Sequence, residues 1–596
     1  MDHSALATDT LCAAFQASVA ERPGQVALRT PGGGVSISWE EYGRRVEGIA
    51  AGLAALGVGP GDTVGIMMVN RPEFHLVDVA ALHLGATPFS VYNTSSPDQI
   101  GYLFTHAANR VVVCQEAFLE RLTAARSGTA VDMVCVDAAP EGTIPLAELE
   151  ATTAPAGFDF DAAWRAVAPA DVATLIYTSG TTGPPKGVEI THANVMAELR
   201  AVDAVLPITP GGRTTSFLPS AHIADRALMH YASIVFGLEL TDVPDPRQIV
   251  AVLPEVRPTY WGSVPRIWEK IKAALDAQME TEPDEARRRA LRWAVDTGLR
   301  KVRAEQAGEP VDAELAAEHA KADAMVLSKI RDKLGLDQAE WLVVGAAPTP
   351  RDVLEFFAAL GLPLCEAWGM SELSGIATAN PPGRLKIGTV GPALPGMEFA
   401  LAADGELLCR GPLVMKGYRR DPEKTAETIG ADGWVSTGDV AVVDEDGYIS
   451  IVDRKKELII NAAGKNMSPA NIESRLKSSS PLVGQAVCIG DGRPYNVALL
   501  VLDPDGAAAY GAEHGLADVS AKVLADDDGV RKAVAVAVEE ANSHLSRVEQ
   551  IKRFLILPVD WEPGGDELTP TMKLKRKPIA EKYATEIEAL YSVDSR

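Results

Sequence analysis

The sequence predicts an α/β protein of two domains, a large layered one followed by a smaller one, and three observations carry that expectation. The chain has 596 residues, too many for one ordinary hydrophobic core, so two or more domains are implied. From residue 10 to 165 helix-like and strand-like patterns alternate, as they do where helices cover a largely parallel sheet. Beyond about residue 457 a shorter set of strand and helix patterns begins. The expected domains are therefore 1–455 and 456–596.

Composition narrows the class. Hydrophobic residues are 47% and charged residues 23% of the chain, as in ordinary globular proteins. A net charge of −25 argues against a general nucleic-acid binder, which needs a basic face. No apolar run approaches the roughly 20 residues of a membrane span. The start, Met1-Asp2-His3, lacks the basic-then-apolar pattern of a secretory signal, so a cytoplasmic protein is expected. Peripheral membrane contact leaves a weaker mark and stays open, as does oligomerisation. Cys12, Cys114, Cys135, Cys365, Cys409 and Cys488 are scattered, with no Cys-x-x-Cys pair. That suits reduced thiols better than disulfides or zinc.

Within the first region, Trp39 to Leu56 has the spacing of an amphipathic helix, Thr63 to Val69 reads as a strand and Phe74 to Gly85 as a helix. Asn93 to Pro97 reads as a loop entering a helix capped by Ser95 or Ser96. The stretch that organises the rest is Tyr177-Thr-Ser-Gly-Thr-Thr-Gly-Pro-Pro-Lys-Gly187. Ala173 to Tyr177 before it is a β-rich apolar run, and Thr191 after it reads as the N-cap of a helix starting near Ala193. Between them Thr178, Ser179, Thr181 and Thr182 supply hydroxyls, Gly180 and Gly183 supply backbone freedom, and Lys186 supplies a cation. A loop with free N–H groups, hydroxyls and one cation is built to hold phosphate, although Gly-Lys-Ser/Thr of the common P-loop is missing. On these residues alone a surface turn is the alternative.

Farther along, His222 lies in Leu218-Pro-Ser-Ala-His-Ile223, near apolar residues, where a histidine is usually a satisfied core residue. Pro258 to Lys270 follows, with Gly262 inside it. Residues 268 to about 335 are rich in Ala, Glu, Lys and Arg and read as a helical insert whose charges form a solvated face. Trp341 to Val344 runs as a strand into Gly345, Ala346 and Ala347, three small residues against which a flat ring can lie, or which simply pack tightly. The strand from Leu364 ends in Trp368-Gly369-Met370-Ser371-Glu372, where Glu372 alone reads as a surface acid. In Asp432-Gly-Trp-Val-Ser-Thr-Gly-Asp439 the last aspartate is expected to end a tight turn with its carboxylate outward, suited to ribose hydroxyls or to capping its own turn. Arg454, Lys455 and Lys456 form a basic stretch at the domain border, and Pro469 opens a helix. In the second region Val483 to Ile489 and Asn496 to Val501 read as strands and Val530 to Val548 as a helix. Lys575, Arg576 and Lys577, after Thr569-Pro-Thr-Met-Lys573, read as a solvated helix start.

Taken in order, 177–187, 219–223, 345–348, 368–372, 433–439, 453–464 and 569–573 resemble the motifs of the adenylate-forming superfamily. The nearest likeness is its long-chain fatty acyl-CoA synthetase branch, related to the bubblegum group, which carries a helical insert where this chain has 268–335. The resemblance covers nearly the whole chain. It implies a large N-terminal domain binding nucleotide and acyl group, with a smaller mobile C-terminal α/β lid. Thr178, Ser179, Gly180, Thr181, Thr182, Gly183 and Lys186 would hold phosphates. Gly345, Ala346, Ala347, Trp368, Gly369, Met370 and Ser371 would line the adenine and acyl pocket. Glu372 would hold Mg²⁺, Asp439 and Arg454 the ribose, and Gly464 would face the channel for coenzyme A. Lys456 would be the hinge, His222 would border the acyl carboxylate, and Lys573 would serve adenylation. Ser220 departs from the Leu or Met expected at its position, and Gly262 would leave room along the acyl tunnel.

The reaction so implied joins a fatty acid to CoA at the expense of ATP, through an acyl-adenylate, releasing pyrophosphate and AMP. The cofactors and co-substrates are ATP, Mg²⁺ and coenzyme A. A fatty acyl-AMP ligase that loads a carrier protein shares the same motifs. A catalytically silent acyl- or nucleotide-binding homologue is the alternative of another class, and intact Lys186, Glu372, Asp439, Arg454 and Lys573 count against it.

Overall fold

The structure, a computed structural model, describes residues 4–126, 131–137, 140–178, 184–462, 465–569 and 572–592. Its largest sheet has eight strands in the order Gly417–Tyr418, Lys186–Thr191, Val172–Thr178, Thr87–Ser90, Thr63–Met67, Val111–Cys114, Asp132–Cys135, Ile144–Pro145. From Val172–Thr178 onward every pairing is parallel, and the two edge strands before it are antiparallel. All five residues of Thr63–Met67 are buried, as expected of a parallel strand covered on both faces. One face packs on helices Trp39–Ala55 and Pro72–His83, the other on Pro97–Ala107 and Leu119–Ala125.

Local chemistry sets the helix ends. Ser38 caps Trp39–Ala55 through the Glu41 N–H, with Glu40 and Glu41 in its first turn, where carboxylates favour the helix dipole. Pro72 occupies the first turn of its helix, so that helix starts two residues before the expected Phe74. Ser96, not Ser95, caps Pro97–Ala107, because Gln99 closes a reciprocal capping box with it.

Two four-stranded sheets complete the platform. One runs Arg213–Ser216, Glu239–Asp242, Val26–Arg29, Ser36–Ser38, and the other Tyr260–Ser263, Trp341–Val344, Leu364–Met370, Gly375–Ala379. The expected helical insert is present as Pro265–Thr281, Glu285–Gln306, Ala313–Ala322 and Ser328–Leu334. It is pinned closely at Gly298, where an added Cβ would stand 2.3 Å from the Ala359 carbonyl oxygen. A four-stranded antiparallel sheet, Glu398–Leu401, Glu406–Arg410, Val435–Val443, Ile449–Arg454, then leads to the C-terminal region.

That region holds the sheet Val483–Ile489, Asn496–Leu502, Ile551–Ile556 and helices Pro469–Ser478, Asp528–Ser543 and Arg576–Lys582. The expected helix from Val530 instead begins at Asp528, capped by Asp527, and ends at Ser543. Its hydrophobic clusters use only residues from Ile459 onward, whereas the other described clusters stop at Ile451. The regions meet through ion pairs, Arg266–Asp503 at 2.5 Å and Lys270–Asp505 at 2.7 Å from one helix and Arg475–Asp352 at 3.8 Å from another. All six cysteines are buried and unpaired. Among the described residues no helix is long and apolar enough to cross a membrane.

Candidate active site

Thr178 and Lys186 face each other across an antiparallel pair, Val172–Thr178 with Lys186–Thr191. The organising stretch therefore lies between two antiparallel strands rather than between a strand and a helix, because Val188 and Ile190 alternate with half-buried Glu189 and form a strand. Thr191 then caps His192–Asp203, as expected. Ser179, Gly180, Thr181, Thr182 and Gly183 lie outside the described residues. The Lys186 ammonium stands 5.1 Å from the centre of the Tyr418 ring. Burial and Lys424 lower its pKa, while Glu372 and Asp421 oppose that shift. The Tyr418 hydroxyl donates to Glu372 Oε1 at 2.7 Å. Tyr418 thus ties the candidate phosphate cation to the candidate metal ligand, a role that no motif spacing marked.

Asp439 lies within Val435–Val443 opposite Arg454. It does not face outward as expected: it is 3% exposed, because Gly438 takes a left-handed φ of 73° and Trp368 covers the carboxylate. Trp368 Nε1 donates to Asp439 Oδ2 at 2.8 Å, and Arg454 Nε meets Oδ1 at 2.7 Å. Burial raises the Asp439 pKa, against the pull of Arg454, Trp368 and Lys573. Beside this pair the loop after Trp341–Val344 is bare of large side chains. A Cβ on Gly345 would lie 2.8 Å from the Ala367 carbonyl, Ala346 is left-handed at φ 70°, and Ala346 and Ala347 are exposed. Gly369 is needed for strand approach, since a Cβ there would overlap the Gly375 carbonyl. Met370 and Trp368 pack against the same hydrophobic cluster, and Ser371 is buried.

His222 is half-buried and caps the short turn Ile223–Asp225, its Nδ1 accepting from the Ala224 N–H at 3.2 Å. That bond leaves the ring proton on Nε2. Burial, with Lys573 adding to it, holds its pKa at about 4, so the ring is a neutral donor at physiological pH. Ser220, the departure from the family pattern, is buried and joins its own loop by donating to Asp225 Oδ2 at 3.3 Å. The room expected at Gly262 is filled: a Cβ there would meet Val343 Cγ1 at 2.5 Å and Met229 Cε at 3.5 Å. Close strand packing, rather than open space, calls for this glycine.

Lys573 follows Met572, a non-glycine residue at φ 63°, a conformation kept only where its surroundings impose it. Its ammonium is within electrostatic reach of Arg454, Asp439, Glu372 and Glu457. Desolvation and then Arg454 lower its pKa, and the three carboxylates oppose them. The exposed Lys456 sits in the turn after Ile449–Arg454, between Lys455, bonded to Glu406 at 2.9 Å, and Glu457. Asp453 Oδ2 accepts from Ser468 Oγ at 2.6 Å and so ties the two sides of this turn. Gly464 lies outside the described residues. Arg576 is not the solvated residue expected. It bonds Glu473 Oε1 at 2.6 Å and Glu457 Oε2 at 3.1 Å, linking the Lys573 segment to the turn.

Contacts and electrostatic reach thus link Lys186, Glu372, Trp368, Asp439, Arg454, His222 and Lys573. Three cations around two carboxylates and an exposed small-residue wall suit a nucleotide triphosphate. No group of three or more His, Cys, Asp or Glu among the described residues makes a self-sufficient metal site. A single carboxylate at Glu372 fits Mg²⁺, which takes further ligands from phosphate and water.

The AMP-binding enzyme profile matches residues 15–419, and the AMP-binding enzyme C-terminal domain profile matches 456–595. A putative fatty-acid–CoA ligase, fadD11, of Mycobacterium tuberculosis is 56% identical over 455 residues, 76% of this chain and 80% of that protein. The long-chain-fatty-acid–CoA ligase FadD15 of Mycobacterium bovis is 36% identical over 93% of this chain and 92% of its own. Among solved structures, the adenylation domain of a carboxylate reductase from Mycobacterium chelonae superposes with TM-score 0.76 at 21% identity, covering 99% of this chain and 92% of that one. The anthranilate CoA ligase AuaEII, in complex with anthranoyl-AMP, gives 0.72 at 18% identity, covering 98% of each. The large α/β domain, the smaller C-terminal domain and both profile matches together place this chain in the AMP-binding enzyme family.

Proposed function

We infer that this protein is an ATP-dependent fatty acid:CoA ligase working through an acyl-adenylate. The observation that carries the reading is the position of Lys573. A lysine of the C-terminal domain is close enough to act electrostatically on Asp439 and Arg454, the candidate ribose pair, and on His222 on the candidate acyl side. In the first step a carboxylate oxygen bonds to the α-phosphorus of ATP and pyrophosphate leaves. In the second, the CoA sulfur bonds to the acyl carbonyl carbon, AMP leaves, and the thiol proton is lost. A carboxylate is a weak nucleophile, so the cleft's contribution is to orient it and offset crowded negative charge. Lys573 would stand between carboxylate and α-phosphate, with the His222 Nε2–H as a neutral donor that adds no competing charge. Lys186 would face the β and γ phosphates, and Mg²⁺ held at Glu372 would neutralise them further. Asp439 and Arg454 would hold the ribose, with Trp368 and the loop 345–347 beside the adenine.

The domains would part at Lys456, where only a turn joins two separate cores. Withdrawal of Lys573 would then open the cleft to CoA, a hinged closure and reopening. An aliphatic acid substrate also makes peripheral membrane contact part of this reading, testable by co-sedimentation with vesicles. The main experiment is pyrophosphate release with a panel of acids of graded chain length, followed by product mass with and without CoA. Acyl-CoA as product supports the reading. Acyl-AMP that accumulates despite CoA would favour carrier-protein loading, and no release with any acid would overturn the enzymatic reading.

A further inference from the structure

The loop carrying His222 has little regular structure, yet its backbone is held by side chains from deep in the large domain. Asn70 Nδ2 donates to the Leu218 carbonyl at 2.8 Å and to Ser216 Oγ at 2.8 Å. Arg226 Nη1 donates to the Ser220 carbonyl at 3.1 Å and to Ser90 Oγ at 2.8 Å. These are the carbonyls that flank Pro219 and precede His222 by two and four positions. Arg226 is 0% exposed, and a buried guanidinium is tenable only with a fixed counter-charge. That counter-charge is Asp78, bonded to Arg226 Nη2.

Asp78 is itself fixed. Its second oxygen meets His230 Nε2 at 3.0 Å, His230 Nδ1 meets His75 Nδ1 at 2.8 Å, and His75 Nε2 meets Asp242 Oδ1 at 2.8 Å. Each of these four residues is at most 1% exposed. Two ring nitrogens at that separation need one hydrogen between them, so each ring's orientation depends on the other. Asp78 and His75 belong to helix Pro72–His83, and Asn70 immediately precedes its N-cap, Arg71. One helix therefore sets both anchors of the loop. The Arg226–Tyr231 segment is π-helical, a local widening that often accompanies functional sites.

We propose that Arg226, clamped by Asp78 and helped by Asn70, is a positioning residue that fixes His222 for the adenylation step. This rests on the acyl-adenylating reading above. A purely architectural network would set stability alone. A positioning network acts on the rate through His222, and it loses its effect when His222 is gone.

The test is a cycle of Arg226→Lys, His222→Ala and the double variant, read by single-turnover pyrophosphate release with saturating ATP and acid. His222→Ala is expected to slow release about 100-fold, within the usual range for a group assisting proton or charge movement. Arg226→Lys should slow release about tenfold in the wild-type background and less than twofold in the His222→Ala background, a coupling expected of residues acting as one unit. Thioester formation from preformed acyl-adenylate should change less than twofold. Asn70→Ala removes the second anchor without burying a charge, and it should show the same coupling if Arg226→Lys fails to fold. Equal slowing in both backgrounds, or unchanged release in variants that melt normally, overturns the proposal. A wild-type protein that releases no pyrophosphate with any acid instead overturns the functional reading on which the proposal depends.

Discussion

Asp439 and Arg454 are register partners on adjacent antiparallel strands, and their side chains close the same contact at 2.7 Å. A pair preformed this way would cost no reorganisation on binding a ribose, the role proposed for it. Its interactions should be the same in ground state and transition state. Asp439→Asn keeps the shape and the Trp368 contact while removing the charge. Initial-rate kinetics should show KM for ATP raised about tenfold with kcat within about threefold, the pattern of lost uniform binding. A fall in kcat at unchanged KM would contradict the ribose role.

Lys573 should matter to one half-reaction. Lys573→Ala is expected to slow pyrophosphate release by about two to four orders of magnitude, or about 3–5 kcal/mol. Synthetic acyl-adenylate plus CoA should still give thioester at a near-normal rate. Desolvation and Arg454 lower the Lys573 pKa, so its charge is lost as pH rises through a value below the ordinary lysine figure. The alkaline limb of pyrophosphate release should accordingly begin below that figure, and Lys573→Arg should move it upward. His222, at about 4, is already neutral above pH 5. Its substitution should lower the plateau of the profile without moving the acid limb in that range.

The hinge is testable through backbone freedom. Among the described residues no backbone hydrogen bond runs from the Lys456 N–H, so a proline there removes none while fixing φ near roughly −65°. Lys456→Pro should leave both domains melting normally, since each has its own core. Single-turnover pyrophosphate release should survive while conversion of preformed adenylate to acyl-CoA collapses, the opposite failure to that of Lys573→Ala. Loss of both steps, or of neither, would place the pivot elsewhere.

Among the described residues, three ion pairs join the two domains in the arrangement that presents Lys573, two of them short and from one helix. Arg266–Asp503 and Lys270–Asp505 are partly solvated, and such pairs contribute about 0–1 kcal/mol each. Arg266→Ala combined with Lys270→Ala should therefore slow adenylation by no more than about tenfold. Added salt should mimic the change in the wild-type protein by screening these charges. Stopped-flow pyrophosphate release across a salt series checks both expectations. A salt-independent rate would mean that the domain is held by packing instead.

Much of this architecture could be read in advance because local signals and tertiary demands agree. The apolar run at Thr63–Met67, the Thr191 cap and the charged insert each point to one outcome. The site was legible as motifs but not as geometry. Asp439 looks like an outward turn residue until Gly438 and Trp368 show why it turns inward. Gly262 suggests space, and only the neighbouring strand reveals that Val343 and Met229 occupy it. Arg576 reads as solvent-facing because its partners, Glu457 and Glu473, are more than a hundred residues distant. Tyr418 and the Asp78–Arg226 pair carry no periodic or spacing signal at all, since such contacts arise only when distant strands and helices meet.

The burial of all six cysteines acquires a meaning once the chemistry is considered. An acyl-adenylate is an electrophile that any accessible thiolate can capture, and a protein that made one beside its own reactive cysteine would acylate itself. Burial pushes the thiols of Cys114, Cys365 and Cys409 up to about 12, so they are protonated as well as hidden. Cys409 carries the point furthest, lying near enough to Asp439 for that carboxylate to raise it further. The protein is thereby deaf to its own activated intermediate, and the thiol that receives the acyl group has to come from outside the chain.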